Sequence, residues 1–247
     1  LISNTPFKLS LIGLGEYQNL LLDDLRKAAA LGARESLGSS GKLGIMLPWE
    51  TVDSKYAGKA IGEAIRLSLF KDLRFKSKPE KTIIPDTIEL IGLPKSAEDA
   101  LIEVSPICSG VELARQLVGA PPNSLTPASL AETAVQIAHN YGLESKVLNQ
   151  EECESLGMGA YLAVAKGSDL SPKFIHLTYR PSGLINRRIV LIGKGLTFDS
   201  GGYNLKVGGA QIELMKFDMG GSAAVIGTAR AIAELQPQGI EAHFIVA

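Results

Sequence analysis

Toward its C-terminal end the chain reads Ile189–Val190–Leu191–Ile192–Gly193–Lys194–Gly195–Leu196–Thr197–Phe198–Asp199–Ser200–Gly201–Gly202. Four consecutive apolar residues, β-branched at three positions, predict a buried strand. Glycines 193, 195, 201 and 202 tolerate positive φ and close backbone approach, so the strand is expected to end in a tightly folded loop. That loop carries Lys194 and Asp199. Lys206 follows, and Leu214–Met215–Lys216–Phe217–Asp218–Met219–Gly220–Gly221 adds a second aspartate. Lysines and aspartates therefore crowd into one glycine-rich region just past a strand. In open α/β sheets, ligands bind in the crevice beyond the strand ends.

Two readings of this region compete. Lys and Asp are common in loops, and exposed pairs of them contribute only ~0–1 kcal/mol. A charged surface loop, however, needs no Thr-Phe before its aspartate. Nor does it need a Gly-Gly after each acidic residue, as in Asp199–Ser200–Gly201–Gly202 and Asp218–Met219–Gly220–Gly221. Carboxylates confined in a crevice repel one another unless a cation neutralises them, and a divalent metal with oxygen ligands would do so.

The segments Gly193–Lys194–Gly195–Leu196–Thr197–Phe198–Asp199–Ser200–Gly201–Gly202 and Met215–Lys216–Phe217–Asp218–Met219–Gly220–Gly221–Ser222–Ala223–Ala224 resemble the first half of the leucine aminopeptidase active site. Further likeness lies in Ala114–Arg115–Gln116–Leu117–Val118, Pro121–Pro122–Asn123, Leu125–Thr126–Pro127, Gly157–Met158–Gly159–Ala160 and Val164–Ala165–Lys166–Gly167–Ser168. Together these span the chain from about Gly110 onward.

The resemblance implies a two-metal cytosolic aminopeptidase, hexameric at full length, that removes leucine-type apolar residues from peptides with a free N-terminus. It assigns Lys194, Asp199 and Asp218 to metal binding. Lys194 would contribute a neutral amine, a state that burial and the cation would have to favour. Asp199 would bridge the two metals, and Asp218 would share a metal with Lys194. Lys206 would be the catalytic lysine that polarises the scissile carbonyl. Met215 would wall the pocket for the substrate's first side chain. The cofactors implied are two divalent ions, Zn²⁺ or Mn²⁺, and no organic cofactor site is expected. The family's Asn-Thr-Asp-Ala-Glu-Gly-Arg motif, with the remaining ligands, would lie beyond residue 247. A polypeptide ending there is expected to be inactive by itself, its last strand leaving an apolar sheet edge open. Two alternatives stand beside the enzyme: a truncated, non-catalytic binding or scaffold subunit, and a nucleic-acid-binding relative.

Composition narrows these readings. The chain is 45% hydrophobic and 21% charged with a net charge of −1, the balance of a globular domain. Near-zero charge gives no electrostatic footprint for nucleic acid or an anionic membrane, so neither is expected as a partner. No apolar run reaches the length of a membrane span. The two cysteines, Cys108 and Cys153, lie in helical patterns and read as buried, reduced thiols. No secretory signal is visible at Leu1. The expected location is cytoplasmic, with a plastid or other organelle as the alternative after loss of a transit peptide.

The fold class expected is α/β. An N-terminal β-α-β-α-β domain (1–95, its start missing) precedes a linker helix (96–119) and the truncated first part of a mixed-sheet peptidase domain (120–247). Strands are predicted at Lys8–Gly13, Leu43–Leu47 and Thr87–Gly92. Amphipathic helices are predicted at Asn19–Leu37, with Leu20, Leu21, Leu25, Ala28, Ala29 and Leu31 inward, and at Tyr56–Leu73. This alternation implies a mostly parallel sheet. Gly13–Leu14–Gly15 lacks the third glycine of a dinucleotide fingerprint and reads as a turn. Residues 71–81 read as a solvated charged loop. A long helix is expected over Ala97–Val118 with a break at Pro106, and Thr126 and Pro127 mark the next helix as N-cap and first residue. Strands follow at Ser145–Leu148, Leu162–Ala165 and Lys173–Tyr179, with a short helix at Gln150–Leu156. His176 reads as a half-buried strand histidine, and no chemistry is assigned to His139 or His243. A buried helix is expected from Gly220 to Leu235, ahead of a final strand.

Overall fold

The computed structural model describes residues 8–79 and 81–247. The chain divides into two compact units, Leu1–Cys108 and Ser109–Ala247. Both are α/β, as the patterning implied.

In the first unit, α1 (Leu22–Glu35) is followed by β1 (Lys42–Met46), α2 (Ser54–Leu69), β2 (Thr87–Ile91) and α3 (Lys95–Leu101). β1 and β2 pair in parallel, Lys42 opposite Thr87 and Met46 opposite Ile91, with α2 as the crossover between them. Leu25, Ala29, Ala33, Ile45, Ala57, Ile61 and Ile65 form the core. Small residues let the elements approach closely, since a Cβ on Gly58 would sit 3.0 Å from that of Ala97. Asp53 caps α2 by accepting a hydrogen bond from the Lys55 amide at 2.9 Å. Trp49 packs at the edge of this core, and its indole N–H donates to the Gly92 carbonyl at 2.9 Å.

Several expectations for this unit need correction. Lys8–Gly13 is not a strand: β1 and β2 pair only with each other among the described residues, and Leu11 is largely exposed. Leu21 and Leu31 fall on the outer side of α1, where Ala33 takes the inward position instead. Residues 71–79 are irregular as expected, while Glu80 in the same charged stretch lies outside the described residues.

The helix expected over Ala97–Val118 is two helices, α3 and α4 (Val104–Gly119). The break falls at Ile102–Glu103, ahead of Pro106. The proline ring would clash with the carbonyl four residues earlier, that of Ile102, so Pro106 is accommodated only in the first turn of a new helix.

The second unit contains α5 (Pro127–Tyr141), β3 (Glu144–Leu148), α6 (Gln150–Ser155), α7 (Gly159–Ala165), β4 (Phe174–Tyr179), β5 (Arg187–Gly193), α8 (Gly220–Leu235) and β6 (Ile240–Val246). Thr126 accepts from the Ser129 amide at 3.2 Å, Pro127 opens α5, and Gly142 closes it at φ 73°. The sheet order is β3-β4-β6-β5. The first two pairings are antiparallel and β5 runs parallel to β6. Ile175, Leu177, Tyr179, Ala242, Phe244 and Val246 face α5 and α8 across the main core. Cys108 and Cys153 are both buried, and burial raises the Cys153 thiol.

Three sequence readings change here. Leu162–Ala165 belongs to α7 rather than a strand. A four-residue apolar run is ambiguous in type, and here the Leu162 amide bonds back to the Met158 carbonyl at 3.0 Å in helical register. Among the described residues β5 is an edge strand rather than fully buried: Ile189 and Leu191 pack inward while Val190 (56%) and Ile192 (72%) are exposed. The final strand is not the open edge; β6 is interior, hydrogen-bonded on both sides.

The other face of this sheet carries polar groups that periodicity does not join. His176 Nε2 and His243 Nδ1 lie 2.9 Å apart, with the Thr178 hydroxyl 3.3 Å from each. His243 Nε2 faces Glu241 Oε1 at 3.1 Å, and Arg188 donates to the same oxygen at 2.7 Å. Arg180 pairs with the other Glu241 oxygen and with Glu144. Arg188 foremost, then His243 and Arg180, holds the Glu241 carboxyl below its usual range against the opposing effect of burial. Burial is the main cause depressing His176, with His243 and Lys146 adding to it.

Two outcomes are expected. A Cβ on Gly227 would lie 2.4 Å from the Gly110 carbonyl oxygen, backbone against backbone where α4 meets α8. Gly227→Ala should therefore destabilise by about 1–3 kcal/mol in urea unfolding, the usual cost of overpacking. A depressed histidine is neutral in the fold, while the unfolded chain binds its proton near the ordinary value of ~6.5. The stability this contributes is complete above that pH and is lost as pH falls toward the lower folded value. Urea midpoints measured from pH 7.5 down to 5.5 should fall, and His176→Gln should flatten that slope.

Candidate functional site

The site is assembled where β5 ends against the first turn of α8. A Cβ on Gly193 would sit 2.5 Å from the Gly221 carbonyl oxygen and 2.7 Å from the Ser222 nitrogen, so only glycine permits this approach. The Ser222 amide donates to the Lys194 carbonyl at 2.9 Å, and Gly195 donates to the Ala247 carbonyl at 2.6 Å. The backbone at 193–195 is thereby fixed between α8 and the end of β6, and Lys194 leaves it toward Asp218. That aspartate follows a 3₁₀ turn, Ile212–Phe217, its amide donating to the Met215 carbonyl at 3.2 Å.

A second turn returns Lys206 to Asp199. Gly201 and Leu205 form an isolated antiparallel bridge, and the Lys206 amide donates to the Ser200 carbonyl at 3.0 Å. Gly201 sits at φ 84°, and a Cβ there would lie 2.4 Å from the Asn204 carbonyl oxygen. The Gly201 amide donates to Asp199 Oδ1 at 2.8 Å. One glycine thus makes the turn and holds the carboxylate.

The two lysines and two aspartates form two pairs. Lys206 Nζ donates to Asp199 Oδ2 at 2.5 Å and lies 3.4 Å from Met215 Sδ. Lys194 Nζ lies 2.8 Å from Asp218 Oδ2. That second contact is an ion pair without hydrogen-bond alignment: Asp218 Oδ2 is buried and accepts no hydrogen bond among the described residues. Lys206 foremost, then the Gly201 amide, holds the Asp199 carboxyl below its ordinary range, with Asp218 acting in the same direction. Each sequence-predicted residue, Lys194, Asp199, Lys206, Met215 and Asp218, therefore lies in one of these contacts. Lys194 departs from expectation in one respect. Its side chain is 59% exposed rather than buried.

The donor set is suited to a hard cation: two carboxylates, one with a buried oxygen that accepts no hydrogen bond among the described residues, and an amine beside it. Among the described residues, no three His, Cys, Asp or Glu side chains gather into a cation-binding group. The positive φ of Gly201 was expected from sequence, but the bond from its amide to Asp199 was not. A separate open cavity of about 460 Å³ beside α6 and α7, lined by Glu154, Lys166 and Asp169 among others, contains none of these five residues.

Comparison with known proteins gives the same region a family. Residues 112–247 match the model described as "Cytosol aminopeptidase family, catalytic domain", and residues 2–79 match the N-terminal domain of that family. A "Probable cytosol aminopeptidase" of Prochlorococcus marinus (strain MIT 9313) is 67% identical over all of this chain and 50% of its own length. Its counterpart in strain MIT 9211 is 62% identical, and that of Synechococcus sp. (strain CC9902) 57%, each over the whole chain and half of the relative. The chain thus spans about half the length of the curated relatives it matches. With family matches covering the segment that holds Lys194 to Asp218 and residues 2–79 of the N-terminal unit, the chain belongs to the cytosol aminopeptidase family.

Proposed function

We propose that the whole protein is a metal-dependent aminopeptidase that removes leucine-type, apolar N-terminal residues from peptides, and that this chain supplies part of its site. The observation that carries this reading is the buried, unsatisfied Asp218 Oδ2 facing Lys194 at the end of β5, within the matched catalytic domain. The cofactor would be a pair of divalent ions, Zn²⁺ or Mn²⁺, with further ligands supplied by the family motif placed downstream of residue 247. Residues 1–95 would form the N-terminal domain, 96–119 a linker helix and 120–247 the first part of the peptidase domain. A homohexamer in the cytoplasm, or in an organelle after transit-peptide removal, extends the same family reading. No described helix is long and apolar enough to cross a membrane.

When bound, such ions would supply the positive charge that polarises a carbonyl and activates water near neutral pH. The chain's own residues would do the rest. Lys194 and Asp218 would hold one ion, Lys194 giving up its proton to offer a lone pair. Asp199 would help to hold both ions. Lys206 would keep its proton and place its ammonium on the scissile carbonyl oxygen, where negative charge develops. Met215 touches Lys206, so an apolar first side chain set against Met215 would bring its carbonyl to that ammonium.

Leu-peptides with a free α-amine should be cleaved by the whole protein and their N-acetylated forms should not; equal rates would overturn an aminopeptidase. Lys194→Ala should lower metal affinity, with activity partly restored by excess Zn²⁺ or Mn²⁺. Lys206→Ala should retain metal and lose roughly 10²–10³ in kcat, the size expected for one oxyanion donor. Metal analysis and steady-state kinetics on the two variants check the assignment. Near-normal values for both would reduce the lysines to surface ion-pair partners.

A further inference from the structure

The two carboxylates at the end of β5 are not equivalent. Both oxygens of Asp199 are engaged, Oδ1 by the Gly201 amide at 2.8 Å and Oδ2 by Lys206 at 2.5 Å. Among the described residues Asp218 Oδ2 accepts no hydrogen bond, although the Lys194 ammonium lies 2.8 Å from it. The lysines differ too: the Lys206 side chain is 33% exposed and is held by Met215 and by its own backbone bond to Ser200, whereas Lys194 is more open. The Lys206 ammonium therefore sits on an oxygen that a cation at Asp199 would need.

We propose that Lys206 is a built-in competitor for divalent cation at Asp199. Without metal, its ammonium neutralises that carboxylate. Loading a cation there requires the ammonium to leave, which frees it to face the substrate. Lys206 thus sets the metal affinity of the Asp199 position in addition to its role in the proposed reaction. The inference rests on the reading that the site takes divalent cations. Its physical basis is competition: two positive groups seek one oxygen, and each excludes the other by contact and by charge. Asp218 Oδ2 faces the Lys194 ammonium at 2.8 Å without a hydrogen bond, and on the proposed reading that nitrogen itself becomes a ligand rather than a competitor, so this position fills first. The Asp199 position fills second and more weakly.

The test is a Mn²⁺ titration of the metal-stripped whole protein by calorimetry, with free Mn²⁺ followed by electron paramagnetic resonance. Lys206→Met removes the charge and keeps the length of the side chain. It should tighten the weaker of two binding steps by roughly threefold or more, the range for removing a partly exposed ion pair, and move the tighter step less. Lys206→Arg keeps the charge and should not tighten either step. Lys206→Gln gives a second neutral variant should the methionine form melt early, and it should tighten the weaker step as well. A weaker step left unchanged or weakened in the neutral variants, or tightened as much by Arg, would overturn competition while leaving the metal site standing. A wild-type protein that binds no Mn²⁺ or Zn²⁺ would remove both this inference and the metal reading beneath it.

Discussion

The backbone contact between β5 and the first turn of α8 governs everything at the site. Gly193 and Gly221 let two main chains meet without an intervening side chain, and the Ser222 amide then reaches the Lys194 carbonyl. Ser222 is fully buried, and its hydroxyl donates to the Met219 carbonyl at 2.6 Å, so the helix start is anchored on its own side as well. Any Cβ in this contact would push the strand end away from the helix by the width of an atom. Lys194 would then be carried away from Asp218, although neither residue had changed.

The charges at the site are balanced within themselves. Two ammonium groups face two carboxylates, and the whole chain carries a net charge of only −1. Such an arrangement avoids the like-charge repulsion that two neighbouring carboxylates would otherwise suffer. It also leaves each aspartate with a different neighbour to displace. Identical residue types are thereby given different chemistry by a hydrogen bond present at one and absent at the other.

How much of this was legible in sequence follows from the range of each signal. Local chemistry was readable: Thr126, Pro127 and Gly142 mark α5 at both ends because caps act through neighbouring backbone groups. The segments around Lys194 and Asp218 stood out because lysine, aspartate and glycine recur there at spacings that a plain loop does not need. What failed was long-range. Four apolar residues at 189–192 cannot say whether one or both faces of their strand are covered, and here only one is. Leu162–Ala165 fits a strand by hydrophobicity, yet it forms helical bonds. His176 and His243 lie far apart in sequence and meet only because β4 and β6 are neighbours. Lys206 and Asp199, seven residues apart, meet instead through a local turn that one left-handed glycine makes possible.

The position of β6 also bears on how the second unit assembles during synthesis. β6 joins β4 on one side and β5 on the other, yet it follows both in the chain. Until it emerges from the ribosome, β3 and β4 can form only an antiparallel pair, while β5 has no partner strand. The loop carrying Lys206 and all of α8 must be translated in that interval, a matter of seconds at ordinary elongation rates. The sheet therefore closes by long-range pairing, which is slow relative to helix formation. α8 can form first and offer its glycine face to β5, so the end of the strand that carries Lys194 could be positioned by a helix before it is paired by a strand.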